Sequence, residues 1–439
     1  MQRRPAFRSL RPKQAARPWP SPPHCRTEVI YYEPFLHVHA PDVGICTGIL
    51  LIGLAALACR AAADGGERVF SVVDHGAKGD GATDDTKAFE AAWAAACGAG
   101  GPATSMLVPP GKPFVVGAVK FQGPCASGRT TVRIMGVIAA PPASAWSGGG
   151  EDNNWLMFHG VDGLTVTGNG VLDGKGQSWW GRGCSNDSCV KAAPMALKLE
   201  KCNNLELSDF SSKDSPRMHV VVSMSGNVTV RNLTITAPGD SPNTDGIHIT
   251  ESHDVNITGS SIGTGDDCVS VVSGSRFVTV DNITCGPGHG VSVGSLGKNG
   301  ETAAVEYIDV RNVHFDNSQN GARIKTWEGG EGYAKSISFT NITFNNVSNP
   351  ILIDQFYTDD AVPMMGAVAI TNVTYTNLNG TSSKPTAVKF NCSKRGSCTG
   401  IHVNSMTIKG SDGRETVAQC QNAQVDTSGY VYPKIPCLS

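Results

Sequence analysis

Four short motifs in this 439-residue chain carry residues whose types and spacing could do chemistry. Asp245 stands in SPNTDG (241–246), Asp266 and Asp267 stand side by side in GDDC (265–268), His289 lies in CGPGHG (285–290), and Arg323 and Lys325 open RIKTW (323–327). Adjacent carboxylates repel, so a fold that holds them close needs a reason to do so. A protonated carboxyl can donate to a leaving oxygen while a carboxylate base activates water on the opposite face, which is enough to cleave a glycosidic bond with inversion. A neighbouring negative charge would keep one carboxyl protonated for the acid role. Arg323 and Lys325 suit a substrate whose sugars carry carboxylates, Arg by bidentate contact and Lys as a point charge.

Taken singly, each motif has an ordinary explanation. Asp245 before Gly246 is a common turn pair. Asp266 and Asp267 could be a solvated turn or a calcium ligand pair. His289 sits between two glycines, and Arg323 with Lys325 could keep a sheet face soluble. An internal repeat is what joins them. From Leu164 onward a phrase recurs in which apolar residues alternate, an Asn interrupts, and an apolar-Thr-apolar triplet follows. Its clearest copies are VTVRNLTI from Val228, VTVDNITC from Val278, IDVRNVHF from Ile308, ISFTNITF from Ile337, VAITNVTY from Val368 and IHVNSMTI from Ile401; with weaker versions from Leu164, Leu205 and Val255, the spacings run from 23 to 41 residues.

Alternating Val, Ile and Thr form strands rather than helices, and the Asn marks a bend between two short strands. A further strand-like segment follows each copy, so the pattern predicts an all-β solenoid, a parallel β-helix. A leucine-rich horseshoe would need repeated Leu and a helix per unit, and neither is present. Aligning the third strands by Ile247/Ile249, Val269/Val271, Val291/Val293 and Ala322/Ile324 puts His248, Ser270, Ser292 and Arg323 on one outward line, followed by Thr250, Val272, Gly294 and Lys325. The carboxylates and His289 fall just before these strands. Strict alternation would turn Asp245 inward, so a bend is expected there. The open end of the solenoid needs a cover, and TDDTKAFEAAWAAAC (83–97) predicts a short capping helix, N-capped by Asp84 or Asp85.

Charge is balanced, 36 Lys+Arg against 38 Asp+Glu, which gives no global field for nucleic acid or an anionic membrane. The apolar run Ile45 to Cys59 followed by Ala61-Ala62-Ala63 has the length of a signal h-region and a small-residue cleavage site. The expected organisation is therefore a disordered extension over 1–44, a signal peptide or signal anchor over 45–63, and one catalytic domain over 64–439, secreted to the cell exterior. Fourteen cysteines fit an oxidising compartment. No Cys/His spacing suggests zinc, and neither a metal nor another cofactor is expected.

The four motifs SPNTDG, GDDC, CGPGHG and RIKTW, in this order, resemble those of the plant-type polygalacturonases of glycoside hydrolase family 28. FSVVDHGAKGDGATDDTKAFEAAW near residue 70 and NPILIDQFY (349–357) extend the likeness to about 69–437. The resemblance implies a right-handed β-helix and metal-free, inverting hydrolysis of α-1,4 bonds in polygalacturonate, a cell-wall pectin, by a monomer. It implies Asp266 as general acid, Asp245 and Asp267 as the pair that activates water, and His289 as a residue that tunes the acid and binds sugar. Arg323 and Lys325 would grip a galacturonate carboxylate, and Tyr357 would line the leaving-group side. It also implies disulfides Cys97–Cys125, Cys268–Cys285, Cys392–Cys398 and Cys420–Cys437. The chain departs from the family after Tyr357, where Thr358-Asp359-Asp360 replace a Cys-containing loop, and at DSPRMH (214–219), where NSP is usual.

Ten Asn-x-Ser/Thr sequons occur. Those at the repeat's bend, such as Asn232, Asn282, Asn341 and Asn372, are expected in an asparagine ladder, leaving a subset for glycans. Competing functions are a calcium-dependent pectate lyase, a rhamnogalacturonan hydrolase and a non-catalytic wall-binding protein. The two cations of RIK favour adjacent galacturonates, and retention of all three aspartates with His289 favours catalysis. Endo or exo action is set by loops at the cleft ends rather than by these motifs.

Overall fold

Strand after strand pairs in parallel with its counterpart one coil away, which makes the chain a parallel β-helix. The computed structural model describes residues 67–147, 153–180, 193–357, 366–396 and 398–437. All of them fall within one compact unit, Ala61–Ser439. The expected extension and signal segment, Cys184 and Cys189, and the 358–360 loop lie outside the described residues. No described helix is long and apolar enough to cross a membrane.

Eleven described strands form the sheet that concerns function, from Val119–Gln122 through Ile247–Thr250, Val269–Val271, Val291–Leu296, Asn320–Trp327 and Asn349–Tyr357 to Val417–Gln421. Alternation decides its two faces. Ile247, Ile249, Val269, Val271, Val291, Val293, Ala322 and Ile324 point inward and are fully buried, each Val or Ile contributing roughly 1.5–3 kcal/mol. The remaining strands form a second, nineteen-stranded sheet, because long strands such as Thr302–Asp316 run through the bend without a break. The bend is the repeat's Asn in the left-handed region: Asn232, Asn282, Asn312, Asn341 and Asn377 have φ of 54–56°, a conformation that Asn tolerates better than most residues. Asn341 donates to Asn312 and accepts from Asn377, a ladder over three coils. Asn232 donates instead to Asp209, and Asn372 to Ser336.

The repeat read at Val368 is displaced by five residues. Ile337 pairs with Val373, not Val368, and Val373 with Ile401, so VTYTNLNG is the true copy. Asn372 and Asn377 both occupy the left-handed region, so two successive phrases of the same type offered themselves and the ladder accepted the second.

The capping helix spans Thr86–Gly98 and buries Ala88, Phe89, Ala92, Trp93, Ala96 and Cys97 at helical spacing. Trp93 packs on Phe121 and Phe158 with ring centres 5.3 and 5.2 Å away, and Phe89 meets Phe114 at 5.7 Å. Asp85 holds the N-cap position but makes no side-chain cap. Its carboxylate accepts the Lys78 and Gly79 N–H groups at 2.6 and 3.1 Å, tying down the preceding loop. Asp84 takes the Thr86 N–H at 3.0 Å. The four implied disulfides are formed, the first fastening the helix end to Cys125. Cys202 is free and buried, and burial pushes its thiol up to about 11.

Candidate active site

The outward line expected from alternation is present in register. His248 pairs with Ser270, Ser270 with Ser292 and Ser292 with Arg323. The line then breaks, because Gly294 and Ser295 together oppose the single Lys325, a bulge between Val293 and Leu296. A side chain at Gly294, φ +120°, would fall 2.0 Å from the Lys325 carbonyl oxygen, so only glycine fits. The expected bend before Ile247 lies at Gly246, which turns Asp245 out of the interior so that its carboxylate reaches Ser270.

Asp245, His248, Asp266, Asp267, Ser270, His289, Lys325 and Tyr357 line one cleft of ≈ 400 Å³. Residues without an expected role join them, among them Arg217, Met218, Lys298 and Trp327. Arg217 and Met218 come from DSPRMH, whose departure from the usual phrase was the only sequence signal for them. Trp327 closes RIKTW and meets Tyr357 edge to face at 5.1 Å, while Lys298 Nζ lies 4.3 Å from the Trp327 ring centre.

Asp267 is 1% exposed. Its Oδ1 accepts from Ser292 Oγ at 2.7 Å and from the Arg323 guanidinium, and its Oδ2 accepts from Lys325 Nζ at 3.0 Å. Arg323 also donates through Nε to Ser292 Oγ at 2.8 Å. Burial pushes Asp267 upward, but Arg323 and Lys325 together, with Ser292, outweigh it and hold the carboxyl at about 2. The two cations expected to face a substrate carboxylate are thus directed at a carboxylate of the protein itself.

Asp245, 7% exposed, has no Lys or Arg in hydrogen-bond reach among the described residues, and His248 Nδ1 lies 3.8 Å from its Oδ2, close enough to favour its charged form in part. Ser270 Oγ donates to its Oδ2 at 2.7 Å, which uses the serine's one hydrogen, so Ser270 must accept from His248 Nδ1–H at 2.7 Å. Burial first, and the Asp266 charge second, raise the Asp245 pKa above its usual range. Asp266 is half-buried. Its Oδ1 accepts the Asp267 N–H at 2.7 Å and lies 3.1 Å from His289 Nδ1. Oδ1 already acts as an acceptor, so the imidazole donates there and an acidic proton would sit on Oδ2. Asn320 and Asp266 fix the His289 backbone, through O and N respectively.

Asp266, Asp267 and His289 each offer a ligand atom, all within 4.8 Å of one another. A cation there would share Asp267 with a guanidinium and an ammonium, so the donor set suits proton transfer better than metal binding.

Residues 97–429 match the glycosyl hydrolases family 28. A polygalacturonase of Persea americana is 45% identical over 358 residues, 80% of this chain and 76% of that protein. Among solved structures, an endo-xylogalacturonan hydrolase from Aspergillus tubingensis superposes with a TM-score of 0.72 at 27% identity, covering 82% of this chain and 99% of that one. An exopolygalacturonase from Thermotoga maritima gives 0.70 at 20% identity, covering 82% and 90%, which bears on the fold alone.

Proposed function

The chain belongs to the glycosyl hydrolases family 28, and from that premise we propose that its three cleft aspartates hydrolyse α-1,4 bonds of polygalacturonate with inversion. Asp266 Oδ2, which has no protein partner among the described residues, donates its proton to the glycosidic oxygen as the bond to the anomeric carbon breaks. Asp245 takes a proton from the attacking water, whose oxygen bonds to that carbon from the opposite face. Asp267, kept ionised by its two cations, accepts the water's second hydrogen and orients it. Proton count closes when Asp245 returns its proton to solvent and Asp266 is reprotonated. His289 orients Asp266, and Tyr357 offers a sugar-stacking face, 37% exposed at the end of the cleft.

The observation that carries this assignment is the divergence of two buried carboxyls one coil apart: Asp245, raised, is the stronger base once ionised, and Asp267, lowered, stays a carboxylate that orients the water. Environments that push titratable groups apart assign them different tasks. The variant Asp266→Asn keeps shape and removes the acidic proton. It should fold, bind oligogalacturonate and lose activity by about 10²–10⁴-fold; near-parental release of reducing ends would remove Asp266 from the mechanism.

The substrate is a wall polymer, and the catalytic domain over 64–439 is read as a secreted monomer freed by cleavage after Ala63. N-terminal sequencing of protein from the medium should begin near Asp64. A membrane-bound form retaining residues 1–44 would favour an anchor instead.

A further inference from the structure

Recognition of a polyanion needs positive charge that the protein has not already neutralised. Arg323 and Lys325 are engaged with Asp267, and Lys298 lies over Trp327. Arg217 differs. It is half-buried, lines the cleft, and has no hydrogen-bond or ion-pair partner among the described residues. Burial lowers its pKa, while the field of Asp245 works in the opposite direction. That attraction acts through space and leaves the five N–H donors of the guanidinium unfilled. A partly desolvated guanidinium with an open donor fork is matched in shape and charge by a carboxylate.

Position along the solenoid says which carboxylate. Arg217 precedes strand Val220–Ser223, one coil before Asp245, and Tyr357 ends strand Asn349–Tyr357, five strand steps further on. At about 4.8 Å per step, the two ends of the cleft lie roughly 24 Å apart, with Asp245 and Asp266 one and two steps from Arg217. We propose that Arg217 binds the carboxylate of a galacturonate unit on the side of the scissile bond opposite Tyr357. The polymer is then held on both flanks of the bond that breaks. This rests on the polygalacturonate reading above and adds a specificity residue to it.

The test compares wild type, Arg217→Gln and Arg217→Lys on polygalacturonate and on its highly methyl-esterified form. Loss of one charge-assisted contact, about 1.5–3 kcal/mol, should lower kcat/KM of Arg217→Gln on polygalacturonate by about 10- to 100-fold, mainly through KM, with a much smaller change on the esterified polymer. Arg217→Lys should recover part of the loss. An equal loss on both polymers, or a shifted pH profile with unchanged KM, would mean that Arg217 only offsets the Asp245 charge and would overturn the proposal. Should Arg217→Gln fail to fold, wild type decides with oligogalacturonates esterified at one unit. Slower cleavage when the unit on the Arg217 flank is the ester supports the proposal, and indifference to it refutes it. Absence of cleavage of polygalacturonate by wild type would instead refute the function, not the role of Arg217.

Discussion

Asp245 and Asp267 occupy neighbouring coils, are both buried, and each accepts a hydrogen bond of 2.7 Å from a serine on the outward line, Ser270 and Ser292. Behind Ser270 stands an imidazole, and behind Ser292 a guanidinium with an ammonium beside it. One scaffold therefore yields opposite outcomes: the first carboxyl resists ionisation and the second resists protonation. The repeat supplies position, and the electrostatics come from burial and the Asp266 charge at Asp245 and from Arg323 and Lys325, two coils further on, at Asp267.

The largest effect should come from removing the compensated carboxylate. Asp267→Asn leaves Arg323 and Lys325, each 8% exposed, without their shared anion. Breaking a buried pair of this kind destabilises by about 3–5 kcal/mol, readable as a lowered denaturant midpoint, and activity should disappear with it. The same group sets an acid dependence. The folded Asp267 value of about 2 lies below the unfolded value of about 3.9. Its stabilisation is therefore complete above the unfolded value and is lost as pH falls through the folded one, and that loss should be missing from Asp267→Asn. Asp245 has the reverse sign: its raised pKa favours the neutral form in the fold, a contribution that fades as pH rises through the folded value. Unfolding midpoints of wild type, Asp267→Asn and Asp245→Asn from pH 2 to 6 would separate the two.

A smaller effect sharpens the comparison. Ser270→Ala removes the hydroxyl donor on Asp245, about 1 kcal/mol, and should move the acid limb of kcat/KM upward by somewhat less than one pH unit. Ser292→Ala should move it less, because Arg323 and Lys325 still hold Asp267. Equal shifts in both variants would show that the serines, rather than what stands behind them, set the difference.

The outward line was legible in the sequence because alternation is a strict rule of strands: His248, Ser270, Ser292 and Arg323 had to share a face once Ile247, Val269, Val291 and Ala322 shared the interior. The bend that frees Asp245 was legible as a necessity, though its residue, Gly246, was not. Pairing across coils was harder to read. That Arg323 and Lys325 converge on Asp267 depends on side-chain reach over two coils and on the Gly294 bulge, and neither leaves a periodic trace. The displaced copy at Val368 failed for a related reason, since two bends five residues apart obey the same local preference and only the neighbouring coil chooses between them. Arg217 sat in a motif noticed for its departure from the usual wording, with no signal that its charge would stay unmatched.

The five strand steps between Arg217 and Tyr357 make the cleft a ruler graduated by backbone hydrogen bonds rather than by sequence distance. Each coil pairs its backbone only with its neighbours, so the turns joining the strands can lengthen or shorten without altering the graduations. A linear polymer of identical units meets a linear array of near-identical coils, and descendants of such a chain can change reach, blocking loops or preferred charge pattern at one graduation while the others keep their places.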